Sequence, residues 1–182
     1  MADRRFPRAP AALCALALGI AGTVPAHAAG YVALDGTSVT LGESFDPDLN
    51  PRGGRLRLGV RVSELFDVEL QAGYTADDDV PSFSNFETSW AGAYLKGYLP
   101  VGERSALFAL GGVAGVRLAQ TLADRPGEEA LVDERGGFSF GAGLETSIGE
   151  RLDLSADWMR YIGDEGAFEE VDAVSLGLKY YF

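Results

Sequence analysis

The stretch Val171-Asp-Ala-Val-Ser-Leu-Gly-Leu-Lys-Tyr-Tyr-Phe182 closes the chain. With period two, Val174, Leu176, Leu178, Tyr180 and Phe182 fall on one face, and Ala173, Ser175, Gly177, Lys179 and Tyr181 on the other. Successive side chains of a strand point to opposite sides, so this is a strand with a continuous apolar face that ends in aromatics. Such a face suits the core of a soluble β-protein or the lipid around a transmembrane barrel. The strand by itself is compatible with both.

The N-terminus separates the two. Arg4, Arg5 and Arg8 precede an apolar run, Ala11 to Ile20, which is followed by Pro25-Ala-His-Ala28. Positive, then apolar, then small is the order of a secretory signal peptide. Residues 1–28 are therefore expected to be removed, leaving 29–182 as one domain. The apolar run is shorter than the roughly 20 residues of a membrane-spanning helix. Cys14, the only cysteine, follows Leu13 within that run and away from the cleavage point, so no lipid attachment is expected there. The mature chain is expected to carry neither cysteine nor histidine, since His27 leaves with the signal, which excludes a disulfide framework. Taking Arg4, Arg5, Arg8 and Asp3 from the 15 bases and 27 acids leaves 12 against 26, a net charge of −14. That balance argues against a nucleic-acid partner.

The mature chain divides into eight segments of roughly ten residues, the length of membrane strands: Tyr31–Leu41, Arg55–Val62, Val68–Tyr74, Trp90–Leu99, Ala106–Leu118, Phe138–Ile148, Leu152–Tyr161 and Val171–Phe182. The connections alternate. Ser63–Asp67, Pro100–Ser105 and Gly149–Arg151 are short, whereas Gly42–Gly54, Thr75–Ser89, Ala119–Gly137 and Ile162–Glu170 are long. Short periplasmic turns alternating with longer outside loops mark an up-and-down barrel. The long stretches hold Pro47, Pro51, Pro81 and Pro126 among many acids, as loops do. The expected fold is an all-β, eight-stranded antiparallel transmembrane barrel.

The faces then separate charge from grease. Leu56, Leu58, Val60 and Val62 oppose Arg55, Arg57, Gly59 and Arg61; Val68, Leu70, Ala72 and Tyr74 oppose Glu69, Gln71 and Gly73. Phe138, Phe140, Ala142 and Leu144 oppose Ser139, Gly141, Gly143 and Glu145; Leu152, Leu154, Ala156 and Trp158 oppose Asp153, Ser155 and Asp157. In the fourth segment Ala91, Ala93, Leu95 and Leu99 are assigned outward and Tyr94, Lys96 and Tyr98 inward. In the fifth, Phe108, Leu110, Val116 and Leu118 are assigned outward and Arg117 inward. The first segment alternates poorly and its faces stay open. A charge at mid-bilayer costs a barrel roughly 2–4 kcal/mol, so the charged face is the inner one. The lumen is then expected to hold a network of six bases, Arg55, Arg57, Arg61, Lys96, Arg117 and Lys179, and four acids, Glu69, Glu145, Asp153 and Asp157. Strand adjacency names Glu145 as the partner of Arg117. An eight-stranded bore is filled by side chains, and charges buried there must be paired, so the network is expected to plug the barrel.

The signal peptide, the pair Gly141-Ala-Gly-Leu-Glu145 and Leu152-Asp-Leu-Ser-Ala-Asp-Trp158, and the closing Ser175-Leu-Gly-Leu-Lys-Tyr-Tyr-Phe182 together resemble the small outer-membrane β-barrels of Gram-negative bacteria. They are similar to the OmpA transmembrane domain and to OmpX. The resemblance spans the mature chain and rests on pattern rather than on catalytic motifs. It implies an outer-membrane location reached through the periplasm, and a surround of outer-membrane lipid and lipopolysaccharide. It also implies that Phe182 is the C-terminal signal read by the barrel assembly machinery. No peptidoglycan-binding module of the OmpA kind follows the last strand, so no cell-wall tether is expected. A monomer without cofactor is the expectation.

Some eight-stranded barrels of this kind are enzymes acting on lipid A, and those resembling this chain use a histidine. Without one, no Ser-His arrangement forms, and inward Glu145, Asp153 and Asp157 are read as neutralising lumen bases rather than as acid–base catalysts. Asp77-Asp78-Asp79 and Glu128, Glu129, Asp133 and Glu134 offer oxygen ligands for Ca²⁺ or Mg²⁺. Their spacing matches no known loop motif, and solvated loop acids are the expected reading. Phe83 and Phe86 are available for a partner, for packing under a loop or for lipid headgroups. Three function classes follow: a structural or surface-interaction barrel, a narrow pore for small solutes, and a lipid-modifying enzyme. The first fits a filled lumen and a mature chain without histidine.

Overall fold

The computed structural model describes residues 30–41, 51–77, 83–122, 131–162 and 170–182. Residues 1–28, the expected signal peptide, lie outside them. Eight strands run in chain order: β1 (Gly30–Leu41), β2 (Arg52–Arg61), β3 (Phe66–Asp77), β4 (Phe83–Pro100), β5 (Ser105–Leu122), β6 (Leu131–Ser147), β7 (Leu152–Ile162) and β8 (Glu170–Tyr181). Each pairs antiparallel with its neighbours, and β1 pairs with β8 from Tyr31↔Tyr181 to Leu41↔Val171, which closes the barrel. Closure leaves no strand edge in lipid, where water is absent to satisfy the backbone.

The three short turns share a pattern: Val62-Ser-Glu-Leu65, Val101-Gly-Glu-Arg104 and Ile148-Gly-Glu-Arg151. In each, the first residue's N–H donates to the carbonyl four residues on: Val62 to Phe66 at 3.0 Å, Val101 to Ser105 at 3.0 Å and Ile148 to Leu152 at 2.9 Å. These turns and the C-terminal Phe182 define the turn end of the barrel. The opposite end is the loop end.

Strands β4, β5 and β6 are 18, 18 and 17 residues long, well beyond the roughly 9–11 that a tilted membrane strand needs. Stretches assigned to loops from the sequence are therefore ladder: β3 runs on to Asp77, β4 begins at Phe83, and β6 begins at Leu131. Phe83, Phe86, Asp133 and Glu134 lie on strands, not in loops. The cause is that backbone pairing continues into residues 83–88 and 131–136, whose sequences lack the apolar alternation that marks a strand.

Side chains obey the expected faces in seven strands or fill in what was open. Leu58, Leu95, Phe138, Leu154, Val174 and Leu176 are exposed outward, and Arg57, Glu69, Lys96, Ser139, Ser155 and Ser175 are buried inward. In β1 the inward set is Tyr31, Ala33, Asp35, Thr37 and Val39. Strand β5 departs. Phe108, Leu110 and Ala114 are buried inside, Val116 packs against the same interior cluster, and Leu107 and Val113 face out. The assigned parity of β5 is reversed. Both faces of β5 are apolar and Gly111-Gly112 interrupts the alternation, so polarity could not mark the inner side.

The interior has two zones. The charged residues occupy mostly the turn-side half. The loop-side half holds an apolar cluster that includes Val39, Trp90, Tyr94, Met159, Tyr161 and Val171. Trp90 on β4 reaches Tyr161 on β7, ring centroids 5.9 Å apart, so the cluster spans the bore. Small residues make room for large ones, as narrow barrels require: a Cβ on Gly59 would overlap the Tyr31 ring, and one on Gly73 would overlap Trp90.

The reversed face of β5 has a measurable consequence. Val113 is 63 % exposed, so Val113→Arg puts a charge into lipid and is expected to cost about 2–4 kcal/mol if it lies near mid-bilayer. Urea unfolding of the barrel in lipid vesicles reads this. An unchanged midpoint would mean that Val113 does not face the bilayer core.

Candidate functional site: a charged network in the barrel lumen

Of the ten charges expected in the lumen, Arg55, Arg57, Glu69, Lys96, Glu145, Asp153, Asp157 and Lys179 are buried there. Glu145, on β6, is the hub. It accepts hydrogen bonds from Lys96 Nζ on β4 and Lys179 Nζ on β8, with Arg57 Nη1 on β2 at 3.9 Å. None of these strands neighbours β6, so the contacts cross the bore. A second carboxylate, Glu69, accepts from the Tyr31 hydroxyl at 2.5 Å and from Gln71 Nε2 at 2.7 Å. Lys96 and Arg57 lie 3.7 and 3.6 Å from it.

Higher in the bore two arginines share Asp35. Arg57 Nε and Nη2 donate to its two oxygens at 2.8 and 2.7 Å, and Arg55 Nε donates at 2.8 Å. Arg55 Nη2 also donates to Asp157 Oδ2 on β7, and Arg57 Nη2 to Ser155 Oγ. Planar guanidinium forks suit such shared, partly bidentate contacts. The lysines rest against aromatic rings: Lys96 Nζ is 3.8 Å from the Phe108 centroid, and Lys179 Nζ is 4.6 Å from that of Tyr31. Ring faces stabilise a desolvated cation. At the turn end the Tyr98 hydroxyl donates to Asp67 Oδ2 at 2.6 Å, and Lys179 Nζ donates to the Tyr98 oxygen at 3.2 Å. Below them opens a cavity of about 410 Å³, bounded by Arg61, Tyr98, Glu145, Asp153 and Tyr181 and rimmed by the turns.

Two expected members sit elsewhere. Arg117 points out of the barrel, because β5 has the opposite parity. It pairs with Glu134 at 3.5 Å, and both side chains are about half exposed; it has no contact with Glu145, which stands opposite Ala106 in the β5–β6 register. Arg61 lies at the mouth, its side chain 39 % exposed, and pairs with Asp67 at 3.2 Å. Conversely, the sequence reading missed Asp35 and Asp67. Asp35 was hidden because outward Gly36, Ser38 and Thr40 blur the β1 alternation, although Val32 and Leu34 carry the correct parity. Asp67 was assigned to a turn. The lumen thus holds Arg55, Arg57, Lys96 and Lys179 with Arg61 at its mouth, against Asp35, Asp67, Glu69, Glu145, Asp153 and Asp157.

Among the described residues no group of three or more His, Cys, Asp or Glu is placed to hold a metal ion. Asp78, Asp79, Glu128 and Glu129 lie outside the described residues. What the lumen arrangement does is tie strands that share no ladder to one another across the bore, an interior about wide enough for side chains to fill.

The closed barrel with a charged interior has relatives. A family model described as the outer membrane protein beta-barrel domain matches residues 11–182. The chain belongs to that family. No curated protein matches its sequence. Among solved structures, Ail, the attachment invasion locus protein of Yersinia pestis, is 15 % identical over 85 % of this chain and 99 % of its own, with a TM-score of 0.61. Neisserial surface protein A is 11 % identical over 85 % of this chain and 97 % of its own, TM-score 0.66. The N-terminal barrel domain of OprF from Pseudomonas aeruginosa is 14 % identical over 84 % and 97 %, TM-score 0.59. At these identities the likeness is one of fold: this is an outer-membrane β-barrel.

The hub sets an expectation. Lys96→Met and Glu145→Gln each remove a close partner of a buried charge that keeps only a second or more distant one, and each is expected to cost up to about 3–5 kcal/mol. The double variant should lose less than the sum, as contacting residues do. Arg117→Ala removes only an exposed pair and should cost no more than about 1 kcal/mol. Denaturant midpoints of the refolded barrel measure all four. Additive losses at Lys96 and Glu145 would rule out their coupling.

Proposed function

We propose that this chain is a non-enzymatic outer-membrane barrel with a structural and surface-interaction role, its lumen plugged by the charge network and its acidic long loops outside the cell. The observation that carries this reading is the buried network itself. Arg55, Arg57, Lys96 and Lys179 each lie within ion-pair distance of at least one carboxylate, and a solute crossing the bore has to part pairs that span it. Stripping such charges of partners in a low-dielectric space is costly.

The loop end supports the surface role. Among the described residues, strand β6 pairs with β7 only from Ser139 onward, while its Leu131–Phe138 segment pairs with β5. Strands β4 to β6 thereby extend past the barrel as a ladder, the kind of edge that partners pair with. The names of two similar folds, an attachment protein and a surface protein, point the same way. On this reading the surround is outer-membrane lipid and lipopolysaccharide, the protein is a monomer, and the turn end with Phe182 faces the periplasm.

Two outcomes are expected. Wild-type protein in planar bilayers should give no stepwise conductance, and a reproducible unitary step would favour the narrow-pore reading instead. Deletion of Phe182 should lower the amount of protein in the outer membrane by severalfold and raise periplasmic degradation, as loss of the assembly signal implies. Equal membrane levels by immunoblot would remove that role from Phe182. An altered lipid A profile in a strain lacking the protein would count for the enzyme reading.

A further inference from the structure

The charge network fills only part of the bore. On its loop side stand Val39, Trp90, Tyr94, Met159, Tyr161 and Val171, drawn from β1, β4, β7 and β8. At most 7 % of any of them is exposed, so a water molecule finds almost no surface to touch at this level. The Trp90 and Tyr161 rings meet across the bore, centroids 5.9 Å apart. The large side chains lie tight against the wall: a Cβ on Gly73 would overlap the Trp90 ring, and one on Gly141 would overlap Met159 Sδ.

The hydroxyls at this level are engaged with one another or with the backbone. Thr37 and Ser175 share a hydrogen bond of 3.0 Å. Ser139 accepts from the Tyr94 hydroxyl at 3.3 Å and donates to the Arg160 carbonyl at 3.1 Å. Thr75 and Thr88 stand one inward position nearer the loop end than Trp90, outside the ring contact. On the turn side Arg55 is hydrogen-bonded to Tyr161, so the aromatic layer rests directly on the network. An ion entering this layer sheds its water where nothing replaces it, and apolar constrictions close pores by excluding water. We propose that the Trp90–Tyr161 layer is a septum, a second seal in series with the charge network, which keeps the lumen closed to ions when the network is broken. The inference rests on the reading that the lumen is plugged, and it adds that the plug has two independent parts of opposite chemistry.

Conductance in planar bilayers reads the two seals apart, once each variant is shown to fold by its migration in SDS gels before and after boiling. Lys96→Ala with Glu145→Ala removes the hub and is expected to leave conductance within about twofold of the wild-type baseline, held by the septum. Trp90→Ala with Tyr161→Ala removes the septum and is expected to stay closed as well, held by the charges. The four substitutions together are expected to give unitary steps about tenfold or more above that baseline. Should that barrel not fold, Trp90→Asn in the Lys96→Ala, Glu145→Ala background replaces it, because one polar side chain wets the septum, and the same steps are expected. Steps from the hub pair alone overturn the proposal and leave the plugged lumen standing, with the charges as its sole seal. A combined variant that stays closed overturns it too, since other residues then block the bore. Steps from the Trp90–Tyr161 pair alone overturn the series arrangement and the charge plug with it.

Discussion

A carboxylate shared by two lysines in the middle of a lipid-sheathed cylinder is the interaction on which this structure turns. Glu145 joins β6 to β4 through Lys96 and to β8 through Lys179, strands that share no ladder with β6. Backbone ladders hold each strand to its two neighbours, and strand number with ladder register sets the diameter of the cylinder. The cross-bore ion pairs add ties between strands that share no ladder. They follow from a constraint with two sides. Lipid forbids charge on the outer face, and strand geometry sends every second residue inward. Polar residues that a barrel carries in its membrane strands therefore meet in a bore too narrow for water to solvate them singly, and they persist only as mutual partners.

This constraint explains which parts were legible from sequence. Where one face is apolar and the other charged, parity is unambiguous. The alternation alone puts Arg55 and Arg57 on β2, Glu69 on β3 and Asp153 and Asp157 on β7 on the inner face, where they are buried. The rule fails where the interior itself is apolar. On β5 the lumen side consists of Phe108, Leu110, Ala114 and Val116 and the lipid side of Leu107 and Val113. Nothing in hydropathy distinguishes them, and Arg117 was drawn inward with the wrong face. In fact Arg117 points out of the barrel beside Glu134, and the two half-exposed side chains pair there. The length of β4 to β6 was hidden because the sequence of their loop-side ends has no apolar alternation to read. Asp35 was hidden in β1 because the outward residues change there from Val32 and Leu34 to small or polar Gly36 and Ser38.

Function was less legible than fold, and the physics gives the reason. The pattern that makes a barrel is imposed by the bilayer on every member of the family, so it carries no information about a partner. What distinguishes one barrel from another is how the bore is filled and what projects from the loop end. Here the bore is divided between a charged half and an aromatic-apolar half. That division could not be read before the parity of β5 was known, because β5 contributes Phe108, Leu110 and Ala114 to the interior.

The mouth at the turn end shows why the identity of a single base matters. Arg61 sits between two aromatic rings, 5.8 Å from the Tyr98 centroid and 5.5 Å from that of Tyr181, while donating from Nε to Asp67. One planar cation thus makes an ion pair and two ring contacts, yet remains partly in contact with water in the cavity below. A lysine there would present a compact ammonium that must choose between the carboxylate and water, and it would lose the stacked geometry. Deeper in the bore the choice reverses. Lys96 and Lys179 are wholly enclosed, and their point charges converge on Glu145 from opposite sides, an arrangement that two broad guanidinium planes would crowd. Arginine stands at the wet mouth and again, as enclosed as the lysines, where Asp35 is shared by two forks. Lysine stands where two cations converge on one carboxylate, so the choice follows the geometry of the acceptors rather than the water at each level.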